Sequence, residues 1–315
     1  NYDGHLTIEM KAVPEGTCLP YKNVLFTMRN TDPECYWLTN FLETLLVQVW
    51  YPMTIATNSR EMKKIITEYM SETSDNLDGI EFKLHDFGCR GVSSMETAGL
   101  GGSAHLISFK GTDTVPALNI IRKYYNSKEI AGYSIPATEH STVTSWKKSG
   151  ELECMDNFLN INPTGTIAFV SDSYDIYNAC DKFWGGELYN KVMNRNGTLV
   201  IRPDSGDPCE VLEKIFGILE KKFPVTINSK GYKVLDDHVR VIQGDGIDIN
   251  SMEKILKKLK NLKWSADNIA FGSGGGLLQK FNRDTQKCAF KCSRAIVNNE
   301  FRDVYKVPIT DIGKK

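Results

Sequence analysis

At 315 residues the chain is long enough for one large α/β domain or two modest ones around a sizeable core. Its 39 acidic and 38 basic residues nearly cancel, so no global basic field points to nucleic acid, and no apolar run reaches membrane-spanning length. Eight scattered cysteines (18, 35, 89, 154, 180, 209, 288 and 292) lack paired CxxC spacing and read as reduced intracellular thiols rather than a disulfide framework or zinc site.

The start, Asn1-Tyr-Asp-Gly-His5, has no initiator Met and no signal-peptide pattern, which sets the expectation of a segment upstream. Residues 6–30 read as short strands and turns, with a turn at Pro14-Glu-Gly16. Thr31-Asp-Pro-Glu34 has the form of a helix start, with a cap residue before proline and an acid in the first turn. The helix predicted over 34–50 is rich in Leu, Trp and Phe, and Pro52 is expected to end it. A second helix is predicted over Thr57–Met70, then a strand over Ile80–Leu84 that leads into His85-Asp-Phe-Gly-Cys-Arg-Gly91. Ser93–Leu106 reads as a helix loaded with small residues. A short strand, Ile107–Phe109, delivers Lys110-Gly-Thr-Asp-Thr114, and Val115–Tyr125 is helical. Residues 148–165 are polar and without clear period, so a surface loop is expected there.

The second half carries the most informative pattern. Thr166–Val170, Thr198–Ile201, Val239–Ile242 and Asn268–Phe271 are four β-type apolar runs, and each ends in acids, glycines or serines. Amphipathic helical stretches separate them. Continuous apolar runs joined by helices read as buried parallel strands, and in α/β barrels the active site is built at their carboxyl ends. Lys254–Lys263 reads as the solvated face of one such helix, and the tail from Asn298 as loop.

Gly272-Ser-Gly-Gly-Gly276, after a strand and before a helix, lets backbone N–H groups approach an anion; a flexible turn would read the same way. Asp172, Asp175, Asp204, Asp245 and Asp248 are each plausible turn formers or caps, yet three strand ends presenting Asp at one level suit ribose hydroxyls or Mg²⁺-bound water. Arg202 and Arg240 would either neutralise those acids or contact substrate. His140, between Glu139 and Ser141, is a structural or a catalytic histidine. His85 and His105 read as packing groups or as supports behind the site residues, and Phe87 as a core residue or a stacking plate. Cys288 and Cys292 read as ordinary core thiols.

These motifs, in this order, resemble the nicotinamide phosphoribosyltransferases, the NAD-salvage branch of the type II phosphoribosyltransferases. The resemblance covers nearly the whole chain. It runs through Pro14-Glu-Gly16, Ala56-Thr-Asn-Ser-Arg60, Leu84-His-Asp-Phe-Gly88, Arg90-Gly-Val-Ser-Ser94, Lys110-Gly-Thr-Asp-Thr114 and Glu139-His-Ser141. It continues through Ser171–Asn178, Ile201-Arg-Pro-Asp-Ser-Gly206, Gln243-Gly-Asp-Gly246 and Phe271–Lys280. It implies an α/β fold, an irregular (β/α) barrel over residues 36–285, with a smaller, mostly β accessory domain from residues 1–35 and a truncated return over 286–315.

The resemblance further implies transfer of phosphoribose from phosphoribosyl pyrophosphate to nicotinamide, giving nicotinamide mononucleotide and pyrophosphate. ATP is the implied co-substrate through a phosphohistidine at His140, and Mg²⁺ is held mainly by the pyrophosphate, with no dedicated protein metal site. Phe87 would stack on nicotinamide, Asp113 and Arg202 would recognise its amide, Asp204 and Asp245 would hold ribose, and Gly244 would line the substrate site. Gly274 and Gly275 would take the 5′-phosphate, Arg90, Arg283, Lys291 and Lys314 would face phosphate or pyrophosphate, and Asp172 would lie at the diphosphate end. A homodimer with shared active sites and a cytoplasmic location, with a nuclear pool beside it, are implied too; nucleic-acid and membrane partners are not.

The chain departs from the pattern in three places. The family's N-terminal Asp-Ser-Tyr-Lys segment, whose tyrosine crosses from the partner subunit, has no counterpart; Ala289 replaces a serine; and the C-terminal extension stops just past Lys314. A fragment of a longer product, or a degenerate copy, is therefore expected. The alternatives are an impaired chain that binds ligands or partners without turnover, and a nicotinate phosphoribosyltransferase.

Overall fold

The computed structural model describes residues 3–310, which fall into two compact units. One is built from residues up to Trp50 together with those from Asn282 on, the other from Tyr51–Phe281. The helix Leu38–Leu46 packs on the strand Phe26–Asn30 and so belongs to the first unit, which carries the division to residue 50 where the sequence suggested 35.

In the first unit β1 (Ile8–Ala12) pairs antiparallel with β2 (Phe26–Asn30). Asp32 accepts the Glu34 N–H and caps the short helix Pro33–Cys35, as the cap–proline–acid order predicts. The predicted stop at Pro52 does not occur. Pro52 lies in the first turn of a helix running Trp50–Thr73, where its missing N–H has no helical partner to lose.

The second unit is organised by six parallel strands. They are β3 (Leu84–Asp86), β4 (Gly111–Thr112), β5 (Ile167–Val170) and β6 (Leu199–Arg202), then, after a separate antiparallel pair β7 (Val225–Ile227) and β8 (Lys233–Leu235), β9 (Val239–Gln243) and β10 (Ile269–Ser273). Their spatial order is β4-β3-β10-β9-β6-β5. Residues 133–138 span the gap between the two edges: Tyr133 bridges Gly111, and Ala137 bridges Ala168. The ring of neighbours thus closes through an irregular segment, an α/β barrel with one strand missing its regular form.

Period-two alternation then sorts the side chains. Ile167, Phe169, Leu199, Ile201, Val239, Val241, Ile269 and Phe271 face the helices and join the main core. Ala168, Val200, Ile242 and Ala270 form a separate interior cluster with Phe87 and Ile135. No helix among the described residues is long and apolar enough to cross a membrane.

Three local expectations are corrected. Residues 148–165 hold a helix, Glu151–Ile161, whose Cys154, Met155, Phe158 and Leu159 are buried; intervening polar residues hid the apolar stripe. Strand structure begins at Leu84, after a short helix at Ile80–Phe82, and at Gly111 rather than Ile107, whose segment is a turn. The tail is not all loop: β11 (Arg294–Val297) pairs with β12 (Glu300–Asp303) across Asn298 and Asn299, both at positive φ, a conformation asparagine tolerates.

Candidate active site

Extending the interior alternation past the strand ends brings Phe87, Asp113, Asp172, Arg202, Asp204, Gly244, Gly272 and Gly274 towards one mouth of the barrel. The structure therefore gathers most of the predicted site from the ends of six strands.

Phe87 lies across two of the glycines. A side chain at Gly272 would put its Cβ 1.9 Å from Phe87 Cε2, and one at Gly244 would sit 3.4 Å from that atom and 3.3 Å from Asp204 Oδ1. The ring needs Gly272 bare, whereas a side chain at Gly244 would only touch it. Arg202 has its Cδ 3.7 Å from the same Gly244 position, and its buried Nε has no hydrogen-bond partner. An orphaned buried donor is costly unless something else supplies the acceptor. Asp113, exposed after β4, accepts a hydrogen bond from the Ser134 hydroxyl of the closing segment.

Beside this aromatic seat stands a histidine between two acids. His140 Nε2 lies 2.9 Å from Asp172 Oδ1, and Nδ1 lies 3.8 Å from Asp204 Oδ2. Asp172 is almost wholly enclosed, and its Oδ2 accepts from the Asp204 N–H at 3.0 Å and the Ser205 hydroxyl at 2.6 Å. Burial pushes the Asp204 carboxyl up; the Asp172 and Asp245 charges add to this, while Arg202 and His140 oppose it. Arg90, at the rim, reaches Glu139 at 3.9 Å across solvent, a pair too exposed to hold it firmly.

The glycine-rich turn follows β10. Ser273 Oγ donates to Ile247 O at 2.6 Å, and Tyr51 Oη donates to Leu278 O at 2.8 Å, so the turn is tied at both ends. Gly276 has no room for a side chain, since its Cβ would come 2.2 Å from Ile247 O.

Other expected residues go elsewhere. Asp175 caps the turn Ile176–Asn178, and Asp248 forms a capping box with Ser251 at the start of helix Ile249–Asn261. Arg240 turns to the opposite strand ends, donating to Leu235 O, Asp236 O and Val239 O. Arg283 donates to Cys288 O and Lys291 pairs with Glu43 at 2.6 Å, both within the first unit, while Lys314 lies outside the described residues. His85 and His105 are packing groups, as read from the sequence: His85 fills the space a side chain at Gly111 would take, and buried His105 meets Ser59 Oγ at 3.1 Å. Sequence reasoning missed Ser134, Ser205 and the seat at Gly272. Ser205, inside Asp-Ser-Gly, and Gly272, at the head of the glycine-rich run, lay in motifs that carried signal; Ser134 did not.

Carboxylates, a histidine and a glycine-rich turn at the mouth of a parallel barrel suit a ligand that carries hydroxyls and phosphate. The chain belongs to the nicotinate phosphoribosyltransferase (NAPRTase) family, whose model matches residues 82–315. It is 51% identical over 315 residues to a nicotinamide phosphoribosyltransferase of Xanthomonas campestris pv. campestris, covering 99% of this chain and 67% of that protein. It is 34% identical over 333 residues to the enzyme of that name from Acinetobacter baylyi, covering 99% of this chain and 66% of that one. The chain thus spans about two thirds of the length of these curated relatives. Among solved structures it is similar to a nicotinate-nucleotide pyrophosphorylase from Pyrococcus furiosus, with TM-score 0.56 and 17% identity over 87% of this chain and 58% of the other. That likeness speaks for the fold.

Proposed function

We propose that this chain carries the site for transfer of phosphoribose from phosphoribosyl pyrophosphate to nicotinamide, giving nicotinamide mononucleotide and pyrophosphate. The observation that carries the reading is the pairing of a flat aromatic seat, Phe87, with an orphaned Arg202 donor and an Asp113 acceptor. A carboxamide offers one acceptor and two N–H donors, which complements that pair. Asp204 and Asp245 would hold ribose hydroxyls, and the Gly274–Gly275 backbone the 5′-phosphate.

Cleavage at the anomeric carbon leaves negative charge on pyrophosphate, so cations must face it as the bond breaks. Arg90 stands at the rim of the barrel for this. Among the described residues no three His, Cys, Asp or Glu side chains converge as a metal cage. In this proposal Mg²⁺ enters as the counter-ion of the donor's pyrophosphate, carried in with substrate. ATP coupling is assigned to phosphorylated His140, whose half-exposed imidazole is oriented by Asp172. Self-association with shared sites and a cytoplasmic location, with a nuclear pool, complete the proposal.

A second reading, transfer to nicotinate, draws on the family's own description. It would set a substrate carboxylate against Asp113. Product formation is measured with nicotinamide, phosphoribosyl pyrophosphate and Mg²⁺, with and without ATP. The parent should form nicotinamide mononucleotide and be stimulated by ATP; His140→Ala should keep slow basal transfer and lose the stimulation. Equal stimulation of parent and variant would remove His140 from the coupling, and no product from a chain that still binds nicotinamide would leave the non-catalytic reading.

A further inference from the structure

Trp184 takes no part in the site as described, yet it is the largest fully buried side chain among the described residues. It sits on Ala179–Glu187, nine residues wound as a π-helix. Such widened turns are rare, usually single, and frequent at functional sites. The widened stretch lies close against helix Pro208–Lys222, where a side chain at Gly185 would meet Lys222 Cβ at 2.7 Å.

The indole packs edge-on against Phe169 of β5, ring centroids 5.3 Å apart, and its N–H donates to Ser171 Oγ at 3.1 Å. Ser171 is fully buried. Its hydroxyl donates to Phe169 O at 3.1 Å, and its N–H donates to Arg202 O at 2.9 Å. A hydroxyl has one proton and two lone pairs, so the indole is the group that fixes the acceptor side of Ser171. The next residue is Asp172, which engages His140 through one oxygen and Asp204 and Ser205 through the other. The indole thus pins the residue from which the carboxylate loop departs.

We propose that Trp184 is a positioning residue for the His140–Asp172 pair, acting through the Ser171 hydroxyl. The step from that geometry to catalysis rests on the function proposed above; the positioning itself does not. Trp184→Phe keeps an aromatic ring and removes the N–H, and Ser171→Ala removes the hydroxyl. Phe158→Leu is the control: Phe158 packs on Phe169 at 5.5 Å and has no polar link to the loop.

The first readout is the ¹⁵N signature of the His140 imidazole in histidine-labelled chain, which reports the tautomer Asp172 selects. The second is the ATP-stimulated kcat against the KM for nicotinamide. Trp184→Phe and Ser171→Ala should both shift the His140 signature and lower the stimulated kcat roughly ten- to hundredfold, as a misplaced group does. The KM should stay within about twofold, because Phe87 and Asp113 lie on other strands, and Phe158→Leu should change neither beyond its loss of melting temperature. An unmoved His140 signature in both variants, or the same movement in Phe158→Leu, would overturn the proposal. A moved signature in a chain whose parent form transfers no phosphoribose would uphold the positioning and sink the functional reading instead.

Discussion

Asp113 sets the choice of pyridine in this account. An ionised carboxylate only accepts hydrogen bonds, so it can pair with the NH₂ of a carboxamide but repels the carboxylate of nicotinate. Like charges brought together disfavour binding, by less at a residue as exposed as Asp113 than in an enclosed pocket, and each ~1.4 kcal/mol is tenfold. Asp113→Ser should therefore relax discrimination by improving nicotinate relative to nicotinamide, read as the ratio of kcat/KM values. Unchanged discrimination would reduce Asp113 to a partner for Ser134. Gly272 tests the aromatic seat in a different way. Because an added Cβ would overlap Phe87, Gly272→Ala should push the ring out of place. A rise in the Kd for nicotinamide and a loss of about 1–3 kcal/mol in stability are expected. An alanine variant with unaltered Kd by calorimetry would show that Phe87 is not the plate.

Among elements, the caps separate structural acids from site acids. Asp248 receives the Asn250 and Ser251 N–H groups at 3.0 Å, while Ser251 Oγ answers the Asp248 N–H at 2.9 Å. Asp248→Ala should thus cost about 1 kcal/mol of stability in chemical denaturation and leave the KM for nicotinamide unchanged. A large KM effect would return Asp248 to the ligand site. The four strand-end motifs were legible in sequence because a buried parallel strand is a continuous apolar run, and period two then aims its last residues. What was not legible has identifiable causes. The ring is closed by residues 133–138 through a few backbone bonds, such as Thr112 N–H to Tyr133 O at 2.9 Å, with no apolar run to signal them. The helix Glu151–Ile161 hid its core face among acids and asparagines. Arg240 looked like a site residue because position along a strand does not say which end its long side chain follows. The interior parity placed Phe87 over Gly272, a contact that depends on register between β3 and β10, which one strand's sequence cannot state.

For the whole molecule, acid sensitivity follows from two buried groups with opposite signs. Burial holds the His105 imidazole down to about 4, so the folded state stays neutral where the unfolded chain takes up a proton. That contribution is lost as pH falls from about 6.5 to about 4. Asp86 is pushed up to about 6 by burial, so the folded state keeps a proton the unfolded chain has released, and stability falls as pH rises over about 4 to 6. The two slopes oppose each other in the parent. His105→Gln should expose the Asp86 slope: its stability should fall as pH rises from about 4 to about 6, where the parent is flatter. Parallel curves for parent and variant would contradict the assignment of His105. The central claim is that a carboxamide-selective aromatic seat and the His140–Asp172–Asp204 cluster form one phosphoribosyl-transfer site. It is tested most directly by competition: equal nicotinamide and nicotinate, with phosphoribosyl pyrophosphate, Mg²⁺ and ATP, and both mononucleotides quantified. The account predicts nicotinamide mononucleotide as the dominant product; nicotinate mononucleotide in excess would contradict it.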